Sequence, residues 1–280
     1  MKTKSIYDIN IVTHDKTAHL DDFLACCVVL AKCNYDGLVP KVLRQSHPSE
    51  EQLDDPNAFV IDFGRRHEPE NKNFDHHQIT GGKVCAFTQV LEYYGMRNYK
   101  SLPWISFVET FDHCGPVAAM KSINSTASID DISNPIQDYM IQIFSSRSTV
   151  EHGDYLYGVM IGIGYSIIAN HDKYEKTLEI LNNASNISVY NEYKVIDYTV
   201  FNKDEFEQLS VLAMKHYEND NSVDIIYNRD YRNSVDNFRL VRKGELNFLN
   251  AKNCEGVYFV HQSGFLIGFT GDYRKIIDAM

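Results

Sequence analysis

Three short stretches of this sequence concentrate side chains that can hold metal ions. They are His14-x-x-x-x-His19-x-Asp21-Asp22, the run Phe59-Val60-Ile61-Asp62, and the triplet Asp75-His76-His77. Cleaving a phosphate ester takes an activated water and neutralisation of charge on the phosphoryl oxygens. Two divalent ions roughly 3.5–4 Å apart do both. Holding such a pair takes imidazoles and carboxylates, one of them able to bridge. Alone, His14 reads as a strand-end histidine satisfied by backbone. With His19 and Asp21 in the same turn, the ligand reading prevails. Asp22 reads as a helix cap or a water-facing residue. Asp62, placed ahead of Asp75-His76-His77, reads as a bridging ligand rather than a simple turn residue. Mixed imidazole and carboxylate ligation favours Mn²⁺ over Mg²⁺ alone, with Co²⁺, Fe²⁺ or Zn²⁺ also suited.

Positioning these groups requires an α/β framework. Tyr7 to Thr13 reads as a strand, and the stretch from Asp21 through Phe23 to Leu30 as a helix whose acidic start suits its N-terminus. Asn57 to Ile61 is continuously apolar, the pattern of a strand buried on both faces. Ala86 to Tyr94, closed by Gly95, and Trp104 to Phe111, ending at Asp112, read as helices. Strand alternating with helix implies a mostly parallel sheet, and ligands gather beyond the carboxyl ends of its strands. His14 and Asp62 are both expected there. Ile129 to Ser145 and Tyr155 to Leu181 carry helical patterns, the second weakened by Gly158, Gly162 and Gly164. From Ile187 the texture changes. Val189 to Val200, Val223 to Tyr227, Phe238 to Val241 and Gly256 to Val260 read as strands, and Glu205 to His216 and Lys275 to Met280 as helices. A smaller α+β domain is therefore expected over 186–280, after a first domain over 1–185.

The 280-residue chain is 44% hydrophobic, enough for two modest domains with real cores. Its net charge of −11 argues against coating nucleic acid by bulk attraction, though not against a local basic groove. None of the six cysteines forms a Cys-x-x-Cys pair, so no structural zinc site is expected. No secretory signal opens the sequence and no apolar run reaches ~18 residues. The expectation is a soluble cytoplasmic or otherwise intracellular protein with no membrane partner. A homodimer is compatible with it.

Taken in order, the three motifs, with Val60-Ile61-Asp62-x-Gly64 and Phe74-Asp75-His76-His77-Gln78, resemble the DHH phosphoesterase superfamily. They are most similar to its Myg branch, the melanocyte-proliferating-gene-type proteins. Val108 to Asp112, Phe238-Arg239-Leu240 and Phe259 to Phe265 are also similar to that branch. The resemblance implies a DHH-type parallel-sheet catalytic domain, a carboxy-terminal substrate-binding domain, and a cleft between them. It implies that His14, His19 and Asp62 hold one metal, and that Asp21, Asp62, His76 and Asp112 hold the second. Asp62, His76 and His77 become the catalytic set, with His77 facing the substrate phosphate and Asp75 orienting a histidine from behind. His261 and Gly264 match the substrate-binding signature, and Arg239 begins the basic run Arg239 to Lys243, the best candidate for a phosphate contact.

Members of the branch look like 3′-to-5′ RNA exonucleases, so the implied partner is single-stranded RNA or a short oligonucleotide and the implied cofactor two divalent ions, Mn²⁺ first. Two departures stand out. His113-Cys114-Gly115 replaces the usual Asn-Gly after the fourth-motif Asp, and Gly264-Phe265-Leu266-Ile267-Gly268-Phe269 replaces a small glycine-rich tail. The second favours the alternative of a phosphohydrolase for short oligonucleotides, cyclic dinucleotides or nucleoside phosphates. A non-catalytic metal-binding module ranks last.

Overall fold

The computed structural model describes residues 9–123, 134–182, 187–201, 224–230, 236–242 and 246–280. The chain divides into two compact units, Met1–His171 and Asp172–Met280.

The first unit is built on β1 (Asn10–His14), β2 (Lys41–Gln45), β3 (Ala58–Ile61), β4 (His67–Glu68), β5 (Asn73–Phe74) and β6 (Thr149–Val150). Their order in one sheet is β4-β5-β3-β1-β2-β6. The four inner strands are parallel, and the edge strands β4 and β6 run antiparallel to them. All four residues of β3 are buried, as its unbroken apolar run requires. The helix α1 (Leu20–Tyr35) is buried at every position from Asp21 to Ala31, so it forms the centre of the layer rather than its surface. Around it lie α2 (Glu50–Asp54), α3 (Ala86–Tyr93), α4 (Pro103–Cys114), α5 (Pro116–Ser122), α6 (Pro135–Ser145) and α7 (Tyr155–Asn182). Proline opens α4, α5 and α6, where a missing N–H costs nothing.

Sequence and structure differ here in three places. β2 was not expected as a strand, since its alternation of buried and partly exposed residues spans only five positions. Asp112 lies within α4, which continues to Cys114, rather than at its end. α7 is continuous through its three glycines. A Cβ on Gly164 would run into the carbonyl of Cys27, so that glycine permits α7 to approach the backbone of α1.

The second unit carries β7 (Ile187–Tyr190), β8 (Tyr193–Asp197), β9 (Ile225–Arg229), β10 (Asn237–Arg242), β11 (Val257–Val260) and β12 (Leu266–Thr270), in the order β11-β12-β10-β9-β8-β7. Among the described residues of this unit, only β8 and β9 pair in parallel. Its core packs Val195, Leu240, Phe248, Ile267 and Phe269 against Ile276 and Ile277 of the terminal helix Tyr273–Asp278. The stretch Val189 to Val200 is not one strand. Asn191 and Glu192 adopt left-handed conformations (φ 45° and 72°) and turn the chain into the β7–β8 hairpin. β12 was also unanticipated. The helix expected over 205–216 lies outside the described residues.

Candidate metal centre

The functional side chains of the first unit collect at the carboxyl ends of β1 and β3 and the first turn of α1. His14 ends β1, and Asp62 follows β3 immediately. Asp62 takes a left-handed backbone conformation (φ 61°), while its N–H donates to the Phe74 carbonyl at 2.9 Å. Aspartate is among the few residues that adopt this conformation at modest cost. The chain thereby turns off the sheet as soon as the strand ends.

Asp62 presents a different oxygen to each side. Its Oδ2 lies 3.4 Å from His14 Nε2, and its Oδ1 lies 3.1 Å from His76 Nε2. His76 Nε2 is also 2.8 Å from Asp112 Oδ2, and Asp112 Oδ1 is 3.7 Å from His19 Nδ1. His14, His19 and Asp62 each offer a ligand atom within 4.8 Å of the others, and so do Asp21, Asp62, His76 and Asp112. A third such group, Asp62, His76 and His77, overlaps both.

Burial makes this arrangement costly without cations. Both oxygens of Asp21, Asp22 Oδ2, Asp62 Oδ1, His76 Nε2 and Asp112 Oδ2 are buried with no hydrogen-bond partner. Burial, then the carboxylates of Asp62, Asp112 and Asp22, raise Asp21 well above the usual carboxylate range. Burial also lifts Asp22 to about 7, against the pull of His14. Burial pushes Asp62 up too, but the imidazoles of His14 and His76 outweigh it and hold the carboxyl at about 2. Burial pulls His76 down, yet Asp112 and Asp62 raise it to about 10. Unpaired buried carboxylates cost several kcal/mol each. The donor set, orphaned and mixed in nitrogen and oxygen, fits divalent transition-metal ions.

His77 stands apart from this set. Its Nδ1 is 2.7 Å from Asp75 Oδ1, which also accepts the His77 backbone N–H at 2.9 Å, while Asp75 Oδ2 accepts the Arg65 N–H at 2.6 Å. Asp75 itself is 1% exposed, so it is a fixed strut rather than a surface acid. With Nδ1 engaged, the Nε2 of the half-exposed His77 ring is the atom left to meet a ligand. The Asp75 hydrogen bond comes first among the causes that raise the His77 pKa.

Asp22 is neither idle nor water-facing. It is fully buried, its Oδ1 accepts the His19 N–H at 2.7 Å, and its Oδ2 lies 3.5 Å from His14 Nε2. Arg44 escaped the sequence reading altogether. This buried arginine of β2 donates from Nη2 to the Lys16 carbonyl (2.5 Å) and from Nη1 to the Phe144 carbonyl (3.0 Å). Ser145 Oγ accepts the Ala18 N–H at 2.9 Å. Together they pin the loop that carries His14 and His19. The signal in the sequence was a lone arginine in a short alternating stretch, which is weak. His113 joins none of the ligand groups found among the described residues.

The remaining sequence-predicted residues lie in the second unit. Arg239 of β10 pairs through Nη2 with the buried Asp230 at 2.9 Å. His261 Nδ1 lies 3.2 Å from the Ser263 backbone nitrogen and 2.9 Å from the Ser263 Oγ. Gly264 has φ 67°, and a Cβ there would collide with the Asn247 side chain. Arg242 holds this turn through Nε to the Gly264 carbonyl and Nη2 to the Ser263 carbonyl, each at 3.1 Å.

A parallel-sheet unit with imidazoles and carboxylates converging at its strand ends could hold divalent metal ions. Residues 10–91 match the MYG1_exonuc family model, described as an uncharacterised protein family (UPF0160), and over that segment the resemblance to the Myg proteins holds. The match takes in all three motifs and ends before Asp112. A search of curated proteins finds no match. Among solved structures, the chain is similar to a pGpG-specific phosphodiesterase, PggH, from Vibrio cholerae (12% identity, 98% of this chain and 96% of that one, TM-score 0.25). It is also similar to an exopolyphosphatase-related protein from Bacteroides fragilis (13% identity, 97% and 90%, TM-score 0.26). Among the described residues, no helix is long and apolar enough to cross a membrane.

Proposed function

We propose that this chain is a two-metal phosphodiesterase that removes nucleotides from the 3′ end of single-stranded RNA or a short oligonucleotide. The observation that carries the reading is Asp62, buried, with one oxygen toward His14 and the other toward His76. Two divalent ions, Mn²⁺ before Mg²⁺, Co²⁺ or Zn²⁺, would supply water activation and neutralise charge on the phosphoryl oxygens. His14, His19 and Asp62 would hold one, and Asp21, Asp62, His76 and Asp112 the other. The chain's own contribution is orientation and proton handling. Asp75 fixes the His77 ring so that Nε2 can donate to a phosphoryl oxygen or to the departing oxygen. In the second unit, His261, the turn at Gly264 and Arg239 would contact substrate.

The net charge of −11 favours a second reading, in which the same centre acts on short oligonucleotides, cyclic dinucleotides or nucleoside phosphates. The deciding experiment is hydrolysis of 3′-labelled and 5′-labelled single-stranded RNA, with Mn²⁺ and with chelator, beside a diadenylate. Metal-dependent immediate loss of the 3′ label, with a shrinking 5′-labelled ladder, is the expected result. Cleavage of the dinucleotide alone would move the protein to small-molecule substrates, and no cleavage of either would end the phosphodiesterase reading. Asp62→Ala and His76→Ala should abolish turnover while leaving the fold.

A further inference from the structure

The first unit contains an open pocket of about 680 Å³, lined in part by His14, His19, Asp62 and His77. Its volume is that of a ligand site, for which about 300–1,000 Å³ is usual. The loops after β1, β2 and β3 add Lys16, His47 and Arg65 to the same lining. Among the described residues, none of these three side chains enters an ion pair. The Lys16 loop is fixed instead through its backbone, by the Arg44 hydrogen bond to its carbonyl.

Arg65 is held in place at a cost. Within four residues of β3 the chain passes through positive φ at Asp62 (61°), Gly64 (94°) and Arg65 (55°). An arginine in the left-handed region is strained, and such strain persists where the surroundings impose it. Here Asp75 imposes it, by accepting the Arg65 N–H with the oxygen that His77 does not use. One buried carboxylate thus fixes both the histidine at the centre and the arginine on the pocket wall.

The acidic lining does not cancel these cations. Glu50 is committed to Arg66 at 2.5 Å and Asp62 belongs to the candidate metal centre, which leaves Asp15. Cationic side chains lining the same pocket as a centre suited to phosphate call for a ligand with negative charge at two places. We infer that Lys16 and Arg65 form a second phosphate subsite, which receives a phosphate of the substrate other than the one at the metal centre. This inference rests on the phosphodiesterase reading. It assigns the substrate to esters that carry at least two phosphates, and sets simple monophosphate esters aside.

The test measures binding by calorimetry in Mn²⁺, with uncleavable diadenosines in which a methylene replaces the bridging ester oxygen, so that the linkage keeps its negative charge. One carries no terminal phosphate, one a 5′-phosphate and one a 3′-phosphate. One of the phosphorylated probes should bind about tenfold or more tightly than the unphosphorylated one, the effect of charge-assisted hydrogen bonds. That ratio should fall toward one in Lys16→Met and in Arg65→Asn, the latter chosen because asparagine tolerates a left-handed backbone. Thermal melts confirm that each variant folds, and Lys16→Met decides the matter if Arg65→Asn does not. No gain from either terminal phosphate, or a ratio unchanged by the substitutions, overturns the subsite. Turnover of an ordinary diadenylate is read separately. Its absence with the ratio intact would end the phosphodiesterase reading and leave the subsite standing, and its presence with a ratio of one would do the reverse.

Discussion

Replacing Asp21 with Asn should stabilise the protein in chelator and weaken its response to Mn²⁺. Both side-chain oxygens of Asp21 are buried without a well-formed hydrogen bond. Asn removes a carboxyl that must either bury a charge facing Asp62, Asp112 and Asp22 or take up a proton on folding. Neutralising uncompensated buried charge is worth about 1–4 kcal/mol. A gain of about 2 kcal/mol raises the melting temperature of a unit of this size by roughly 4–8 °C. Mn²⁺ at a hundredfold excess over Kd stabilises an independent site by about 2.7 kcal/mol, and the variant should keep no more than the share due to His14, His19 and Asp62.

Thermal melts in EDTA and in Mn²⁺, across pH, read all of this. Between the usual carboxylate value of 3.8 and about 7, folded Asp22 holds a proton that the unfolded chain has released. Asp21 shifts in the same direction. Folding then takes up protons, so stability in EDTA should rise as pH falls from about 8 to about 5. His76 acts in the same sense, since its contribution is complete below 6.5 and lost as pH rises toward about 10. Asn at position 21 should flatten that slope. A variant that melts below the wild type in EDTA, or that gains as much from Mn²⁺, would refute the reasoning.

Arg44→Met should remove two charge-assisted bonds to carbonyls, costing about 2–4 kcal/mol by urea unfolding, and should lower Mn²⁺ stoichiometry measured on the dialysed protein because the His14–His19 loop loses its anchor. Asp75→Asn should leave Mn²⁺ stoichiometry intact but reduce kcat by about 10²–10⁴, the range for a misplaced general acid, in steady-state assays. It should also lower the pKa of His77, followed by NMR, because the Asp75 contact is the first cause of its elevation. Gly264→Ala should destabilise the second unit by about 1–3 kcal/mol in chemical denaturation followed by circular dichroism. There φ is 67° and the Asn247 side chain, engaged with the Leu249 N–H, blocks a Cβ.

The centre was legible in sequence wherever ligand and framework lie close together along the chain. β1, α1 and β3 carry their periodicity in their own residues, and each ends or begins on a metal-binding side chain. Asp112 was harder, because its proximity to His76 is produced by the packing of α4 and not by any local pattern. Arg44 was illegible for the same reason, since the carbonyls that justify its burial come from Lys16 and from Phe144, far along the chain. β5 is two residues long and exists only through pairing with β3 and β4. The β7–β8 turn places Glu192, not a favoured turn former, in the left-handed region, so composition hid it. In α7, glycine marked close approach rather than a break, a distinction that only the neighbouring helix supplies.

Because Asp62 belongs to both candidate ligand groups, two ions held as proposed would not load independently. The first to bind would fix the rotamer of the shared carboxylate and draw off part of its charge, and so set the terms on which the second is accepted. Reciprocity then requires the second to alter the affinity of the first by the same factor. Ligand loss at His14 should therefore be felt at the His76 side, and a calorimetric Mn²⁺ titration should resolve into two unequal, linked steps. Such a protein would report the supply of its metal through a threshold rather than in proportion.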